Sequence, residues 1–133
     1  MFSERITNYR QQTVYVGQTA QLACEPNVKK DVVWRYRVTE TSFEYYVYSN
    51  TQMYKRYSDR MSVVKSAGGG YDLVIANVSF NDAGQYLCIE DLGIGDRHIT
   101  QLNVTGKLLT HADDSRGNKA RFPLPELTAP VDW

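Results

Sequence analysis

The chain has 133 residues, the length of one ordinary domain, and is long enough to bury one hydrophobic core. Its 15 basic and 15 acidic residues cancel, so it lacks the positive field that nucleic acid or an anionic membrane surface would require. Ten tyrosines against four phenylalanines favour a protein, peptide or glycan partner, because tyrosine offers a wet interface both an apolar ring and a polar hydroxyl.

Short segments separated by turns fill the chain between residues 13 and 104. In chain order they are TVYVG, TAQLACE, DVVWRYRV, EYYVYSN, RMSVVKS, YDLVIANV, GQYLCIED and HITQLNVT. They are rich in β-branched and aromatic residues and show no helical period, so the pattern predicts an all-β sandwich. The glycines of SAGGGYD, at 66–72, suit a tight reversal between two of these strands.

The two ends of the chain differ from this pattern. After Gly106 the sequence has three prolines and no sustained period, so residues 106–133 are predicted to be a tail or stalk and residues 1–105 the folded domain. The chain has no run of 18 apolar residues, and the charged start MFSERITNYR is unlike a signal peptide. A secreted or membrane-anchored protein would therefore be represented here by an excised ectodomain.

The two cysteines, Cys24 and Cys88, each lie in an apolar alternating run and not in a zinc-binding Cys/His cluster. One long-range disulfide is the simpler interpretation, and two buried free thiols are the alternative. In the chain-entropy model such a disulfide stabilises the fold by about 4 kcal/mol, and it indicates an oxidising compartment. Strand alternation that keeps both cysteines inside also turns Trp34 and Tyr86 inward.

A set of widely spaced residues resembles the pattern of an immunoglobulin domain: Cys24, Trp34, Leu73 and the run Asp82-x-Gly84-x-Tyr86-x-Cys88. The resemblance implies two antiparallel sheets with Greek-key connections and one disulfide between the sheets. It also implies that Trp34 packs on the disulfide and that the Tyr86 hydroxyl bonds to upstream backbone.

Two further features are similar to the variable-type, or V-set, members of that family, over roughly residues 4–105. Arg60 with Asp82 resembles the ion pair that closes the lower end of a V-set domain. The 63 residues between the cysteines leave room for two extra strands, which EYYVYSN and TQMYKRY can fill. Antigen-receptor variable domains and V-set adhesion or immune receptors resemble the chain equally well.

Alternation around Trp34 and Cys88 predicts an outward face with an apolar centre, and the resemblance, which matches FEYYVY to the family by its distance from Trp34, implies that Phe43, Tyr45 and Tyr48 join this face. Its predicted members are Val33, Arg35, Arg37, Phe43, Tyr45, Tyr48, Leu87, Ile89, Asp91 and Ile99. An exposed apolar set of this kind marks a protein interface, and V-set domains commonly pair through this face. We therefore expect an extracellular immune or adhesion domain that forms V-to-V pairs, as a homodimer or with a related domain. The alternative is that neighbouring side chains or the tail cover the patch.

Charged residues near this face have two interpretations. Arg35 and Arg37, beside Asp91 and Glu44, could pair across a twofold dimer and fix its register, or they could be solvated surface charges.

The hairpin DLGIGD gives a second candidate site. In this family it joins two other loops that contact ligands, so Leu92, Ile94 and Asp96 are candidate loop-binding residues. The corresponding function is a secreted domain that recognises microbial glycans or proteins. Asn77 and Asn103 each begin an N-glycosylation sequon.

Catalytic and metal-binding functions find little support. The only histidines are His98, on a predicted edge strand, and His111, in the tail, and no nucleophile or pair of carboxylates accompanies them. The segment HADD at 111–114 is more typical of a solvated turn than of a calcium loop. We expect no cofactor, no metal and no enzymatic activity.

Overall fold

The computed structural model of the protein describes residues 6–27 and 30–106. The predicted tail lies outside these ranges except for Gly106, as do His111 and the segment HADD, so those interpretations stay predictions.

Nine strands form in the described residues. Their bounds are β1 Ile6–Tyr15, β2 Ala20–Leu22, β3 Val33–Arg37, β4 Tyr45–Ser49, β5 Gln52–Met53, β6 Met61–Lys65, β7 Tyr71–Ile75, β8 Gly84–Ile89 and β9 Arg97–Thr105. A 3-10 turn, Phe80–Asp82, precedes β8, and one short turn, Glu90–Gly93, lies between β8 and β9.

The strands form two sheets, which confirms the predicted all-β sandwich. The large sheet has six strands in the order β1-β9-β8-β3-β4-β5, and the small sheet has three in the order β2-β7-β6. β4 and β5 are the two added strands. All pairings are antiparallel except that of β1 with β9, which is parallel.

β1 differs from the sequence prediction because it begins at Ile6 and not at Thr13. Its first half is polar and lacks apolar alternation, so the sequence pattern does not mark it as a strand. The strand forms because it pairs along β9 as far as Tyr15, opposite Thr105.

The core between the sheets contains the residues that alternation assigns to it. Trp34 lies opposite Cys88 in the β3–β8 register, and both are fully buried, as are Leu73 and Tyr86. The predicted disulfide joins Cys24, just after β2, to Cys88 on β8 and links the two sheets. The Trp34 indole donates to the Tyr71 carbonyl at 2.9 Å, which satisfies its buried N–H.

The corner before β8 also has the expected contacts. The Tyr86 hydroxyl donates to the Asp82 carbonyl at 2.7 Å, and the Tyr36 hydroxyl donates to the Ala83 carbonyl. The Tyr36 ring packs on Tyr86 with centroids 4.8 Å apart. Gly84 has φ of 142°, and a Cβ there would lie 2.7 Å from the Tyr36 ring, so only glycine fits beneath it.

Arg60 and Asp82 close the lower end of the sandwich with two parallel hydrogen bonds of 2.9 and 2.8 Å. The Asp82 carboxylate also accepts from the Ser79 N–H at 2.8 Å, and the hydrogen bond with Asp82 raises the pKa of Arg60. The pair therefore connects the start of β6 to the turn before β8.

Asp82→Asn is expected to lower the free energy of unfolding by about 2 kcal/mol, because it removes charge-assisted hydrogen bonds from a buried carboxylate. Urea denaturation monitored by tryptophan fluorescence measures the change. Asp59→Asn is the matched control: Asp59 is exposed beside Arg60 but makes no bidentate bond, so its loss should change stability by less than about 0.5 kcal/mol. Equal effects of the two substitutions would contradict a specific role for the Arg60–Asp82 pair.

Candidate functional site

The face of the large sheet that points away from Trp34, called here the outer face, is organised in three rows across β3, β8 and β9. The rows are Val33, Ile89 and Arg97; Arg35, Leu87 and Ile99; and Arg37, Gln85 and Gln101. The register thus brings together most of the residues that alternation places there.

The expectation that this face is an exposed apolar patch is wrong. Leu87, Ile89 and Ile99 are 0%, 2% and 2% exposed and form a second apolar cluster, separate from the main core. Val33 and Arg37 are also buried. The parity of these residues is as predicted, but other side chains cover them.

Glu44 and Arg97 account for part of this cover. Glu44 precedes β4 and Arg97 begins β9, and the strands β3 and β8 lie between them in the sheet. Arg97 Nη2 nevertheless lies 2.9 Å from one Glu44 oxygen and 3.1 Å from the other. The two side chains therefore extend across the outer face over the row that contains Leu87. Long charged side chains cover apolar surface in this way with their methylene stems.

Arg35 and Arg37 converge on the same carboxylate. Arg35 Nη1 donates to Glu44 Oε1 at 2.9 Å, and Arg37 Nη1 donates to Glu44 Oε2 at 3.0 Å. Burial alone would raise the pKa of Glu44, but the Arg35 hydrogen bond and the charges of Arg97, Arg35 and Arg37 hold it below its ordinary value. We call Arg35, Arg37, Arg97 and Glu44 the arginine cluster. The possible cross-pairing of Arg35 and Arg37 with Glu44 is therefore made within one chain.

The turn after β8 covers the upper row. The Leu92 N–H donates to the Asp31 carbonyl at 2.9 Å, and Gly93 lies so close that a Cβ there would be 3.1 Å from Val33. Gly93 has φ of 97°, which favours glycine at this contact. This turn explains why Val33 is buried although it points outward.

The predicted orientation of the β4 tyrosines is wrong. A register shift between β3 and β4 sets Trp34 opposite Tyr48 but Arg35 opposite Tyr46. Tyr48 is consequently 3% exposed and packs in the main core, where its hydroxyl donates to Asp31. Tyr45 pairs with Tyr36, on the side of the sheet that packs on Tyr86, so it does not lie on the outer face.

Phe43 also lies away from the outer face. It is exposed, and its ring meets the edge of Tyr45 with centroids 4.8 Å apart. The Arg56 guanidinium lies over the Tyr45 ring, 5.1 Å from its centroid. Phe43 and Tyr45 therefore form a small aromatic group at the sandwich edge.

The outer face instead exposes Tyr46 and Tyr54, which the sequence interpretation missed. The Arg35 guanidinium lies 4.7 Å above the Tyr46 ring, and the Tyr46 and Tyr54 rings stack at 5.6 Å. The two tyrosines are 42% and 45% exposed. Their signal in the sequence is the concentration of tyrosines between 45 and 57, but which of them point outward depends on the register shift.

The hairpin between β8 and β9 presents the candidate loop residues. Ile94 is 82% exposed and Leu92 57% exposed, whereas Asp96 is half-buried. Asp91 and Leu92 both have left-handed backbone, with φ of 53° and 59°. Asp91 pairs with Lys30 at 3.6 Å and so belongs to the hairpin end, not to the centre of the outer face.

A buried polar group supports the base of this hairpin. His98 Nε2 lies 2.5 Å from Glu90 Oε2, and Asn8 Nδ2 lies 3.1 Å from His98 Nδ1. His98 was expected on an edge strand, but β9 lies between β1 and β8. Glu90 and His98 face each other across the same hairpin, eight residues apart, whereas Asn8 comes from β1, 90 residues before His98, so no local sequence pattern marks Asn8 as their neighbour.

The two sequons occupy different places. Asn77 is exposed in a turn with φ of 51°, next to the Arg60–Asp82 pair. Asn103 lies on β9, and its side chain donates to Gln11 of β1 at 3.4 Å. A glycan on Asn103 would therefore lie beside β1, near the lower end of β9.

Within residues 6–27 and 30–106, no three His, Cys, Asp or Glu side chains gather as metal ligands. In the same ranges no helix has the length and hydrophobicity needed to cross a bilayer.

Comparisons with known proteins agree with the fold. Residues 7–105 match the family model described as the immunoglobulin V-set domain. The first immunoglobulin domain of the mouse polymeric immunoglobulin receptor is similar in structure, with a TM-score of 0.64, 18% identity, and coverage of 81% of this chain and all of that one. The structure of the ZIG-8 IG1 homodimer is similar with a TM-score of 0.58, 16% identity, and coverage of 77% and 84%. No curated protein sequence matches the chain.

Proposed function

The chain belongs to the immunoglobulin V-set family, and from this we propose that it is an extracellular recognition domain that binds a protein partner through its outer face. The simplest partner is another V-set domain, either a second copy of this chain or a related one. The Cys24–Cys88 disulfide supports an oxidising, extracellular location. The proposal is for binding and not for catalysis.

The observation that carries the proposal is the exposed stack of Arg35, Tyr46 and Tyr54 on the outer face. Tyrosine and arginine are enriched at protein interfaces and dominate their binding energy. Here each ring is held by its neighbour, so little side-chain freedom remains to be lost on binding. The buried cluster of Leu87, Ile89 and Ile99 lies next to this stack, on β8 and β9 of the same sheet.

Self-pairing has one additional support, which is that the structurally similar ZIG-8 IG1 domain is described as a homodimer. That likeness shows a shared fold only, so self-pairing of this chain needs its own test. Asn77 is well placed to carry a glycan under this proposal, because it lies in a turn at the lower end of the sandwich.

Tyr46→Ala combined with Tyr54→Ala is expected to weaken self-association at least 30-fold, roughly the effect of losing one interface hot spot. Sedimentation equilibrium from micromolar to sub-millimolar concentration measures the association constant. Phe80→Ala, which truncates an exposed aromatic residue of the 3-10 turn, is the matched control and should leave the constant unchanged. A wild-type protein that stays monomeric would contradict the homodimer, and a dimer that survives the double substitution would contradict the outer face.

The end hairpin supports a second candidate function, the capture of a glycan or protein ligand by the loops. The specific observation is the exposure of Leu92 and Ile94 on a hairpin fixed by hydrogen bonds from the Leu92 N–H to Asp31 and from the Gly95 N–H to Glu90. This function predicts a monomer whose ligand binding depends on Ile94 and not on Tyr46.

A further inference from the structure

Glu44 is the shared acceptor of Arg35, Arg37 and Arg97 in the arginine cluster. Glu44 Oε1 accepts from Arg35 and Arg97 at 2.9 Å each, and Oε2 accepts from Arg37 and Arg97 at 3.0 and 3.1 Å. A carboxylate has about four lone-pair sites, so Glu44 is saturated. Further hydrogen bonds from this cluster need another acceptor.

Arg35 has donors that remain for such an acceptor. Of its five N–H groups, one Nη1–H bonds to Glu44, one Nη2–H bonds to the Tyr46 hydroxyl, and the Nε–H is buried, so the second hydrogen of Nη1 and that of Nη2 are left for a partner. The Arg35 side chain is 26% exposed, so a partner can reach it. Arg37 shares the same carboxylate and otherwise bonds to neutral Gln85, which leaves two cations with one anion between them.

The guanidinium of Arg35 is also held in position before any partner arrives. Its central carbon lies over the Tyr46 ring, 4.7 Å from the centroid, and Tyr46 is stacked in turn on Tyr54. A stacked guanidinium presents its donors in a fixed fork that matches a carboxylate. The half-exposed rings of Tyr46 and Tyr54 form an apolar shelf beside it.

We infer that the arginine cluster is a carboxylate-recognition site, into which a protein partner inserts an Asp or Glu side chain. The partner's carboxylate supplies the second anion, with Arg35 as its main ligand. An apolar group next to that acidic residue packs on Tyr46 and Tyr54. Glu44 is the internal anion that competes for the same donors. This inference rests on the proposed function, because it requires a protein to dock on the outer face.

Titration with hexaglutamate, with hexaglutamine as the neutral reference, tests the site directly. The arginine Nε–H signals in NMR spectra of the whole chain report the dissociation constant. Arg35→Gln is expected to weaken hexaglutamate binding about tenfold or more, the effect of losing one charge-assisted hydrogen-bonding group. Arg56→Gln is the matched control, since Arg56 also stacks on a tyrosine but lies outside the cluster, and it should change binding less than twofold.

A second variant gives an effect of opposite sign. Glu44→Gln removes the competing anion and keeps the side-chain size, so hexaglutamate should bind about tenfold more tightly. Glu40→Gln removes the same charge from an exposed site nearby and should change binding less than twofold. If Arg35→Gln binds as wild type does, or if Glu44→Gln fails to tighten binding, the carboxylate site is overturned.

The outcome is separate from that of the self-association experiment. In one result, Arg35→Gln leaves hexaglutamate binding unchanged while Tyr46→Ala with Tyr54→Ala still weakens the dimer. That result would support the outer-face interface and contradict the carboxylate site. If the cluster binds hexaglutamate as expected while the chain stays monomeric, the carboxylate site is supported and self-pairing is contradicted.

Discussion

Replacement of Cys24 and Cys88 by alanine is expected to lower the free energy of unfolding by about 4 kcal/mol. The disulfide closes a loop with a sequence separation of 64 residues, which strongly restricts the unfolded chain. Trp34 and both sulfurs lie in the main core, so the substitution also removes packed atoms. Urea denaturation of wild type and the double variant measures the difference, and the variant's slope should rise because its unfolded state exposes more surface.

Reduced wild-type protein is the control that separates the two causes. It retains both sulfur atoms in the core but loses the covalent constraint. Its free energy of unfolding should therefore lie close to that of the alanine variant. If the reduced protein keeps the stability of the oxidised protein, the disulfide does not act through the unfolded chain, and the effect of alanine comes from packing.

The inner face of the large sheet could be read from the sequence because its signals are local. Strand alternation has a period of two, so fixing Cys88 and Trp34 inward also fixes Tyr86 and Tyr36. The hydrogen bond from the Tyr86 hydroxyl to upstream backbone and the Arg60–Asp82 pair were predicted from residues whose spacing resembles that of a known family. Alternation is a signal within one strand, whereas the Arg60–Asp82 pair joins residues 22 apart and was predicted from the family resemblance, and the structure contains all of these features.

The orientation of β4 could not be read in the same way. The prediction matched FEYYVY to the family by its distance from Trp34, and that match does not allow for the shift in pairing between Trp34 and Arg35. One shift of this kind sends Tyr48 into the core and Tyr46 outward. Nothing in the segment FEYYVY marks the shift, because both faces receive tyrosine.

The sequence prediction for Leu87 failed in a different way. Its outward direction was correct, but its side chain is buried and not exposed. Part of its cover comes from Glu44 and Arg97, which are 53 residues apart and meet only after four strands have assembled. Apolar outward residues in a sequence therefore predict an interface only if no long charged side chains can reach over them. On this protein the exposed part of the face lies at Tyr46 and Tyr54 instead.

Glu44→Ala is the second substitution with a large expected effect, a loss of about 3 kcal/mol in the free energy of unfolding. Removing one partner from largely buried ion pairs leaves the remaining charges poorly compensated, and here Arg35, Arg37 and Arg97 lose their shared, partly buried carboxylate. The variant should also uncover Leu87 and bind a hydrophobic dye that wild type does not bind. Urea denaturation and dye fluorescence at neutral pH measure the two effects, and Glu40→Ala, at an exposed site, should show neither.

The pH dependence of this stability difference identifies its cause. The pKa of Glu44 is lowered in the folded protein, because hydrogen bonds and charges from the arginines outweigh the effect of burial. A lowered folded pKa means that the contribution is complete above the unfolded pKa of about 4.3 and is lost as pH falls through the folded value. The gap between wild type and Glu44→Ala should therefore shrink below about pH 4. A gap that stays constant down to strongly acid pH would show that Glu44 stabilises the outer face by packing its stem over Leu87, and not by its charge.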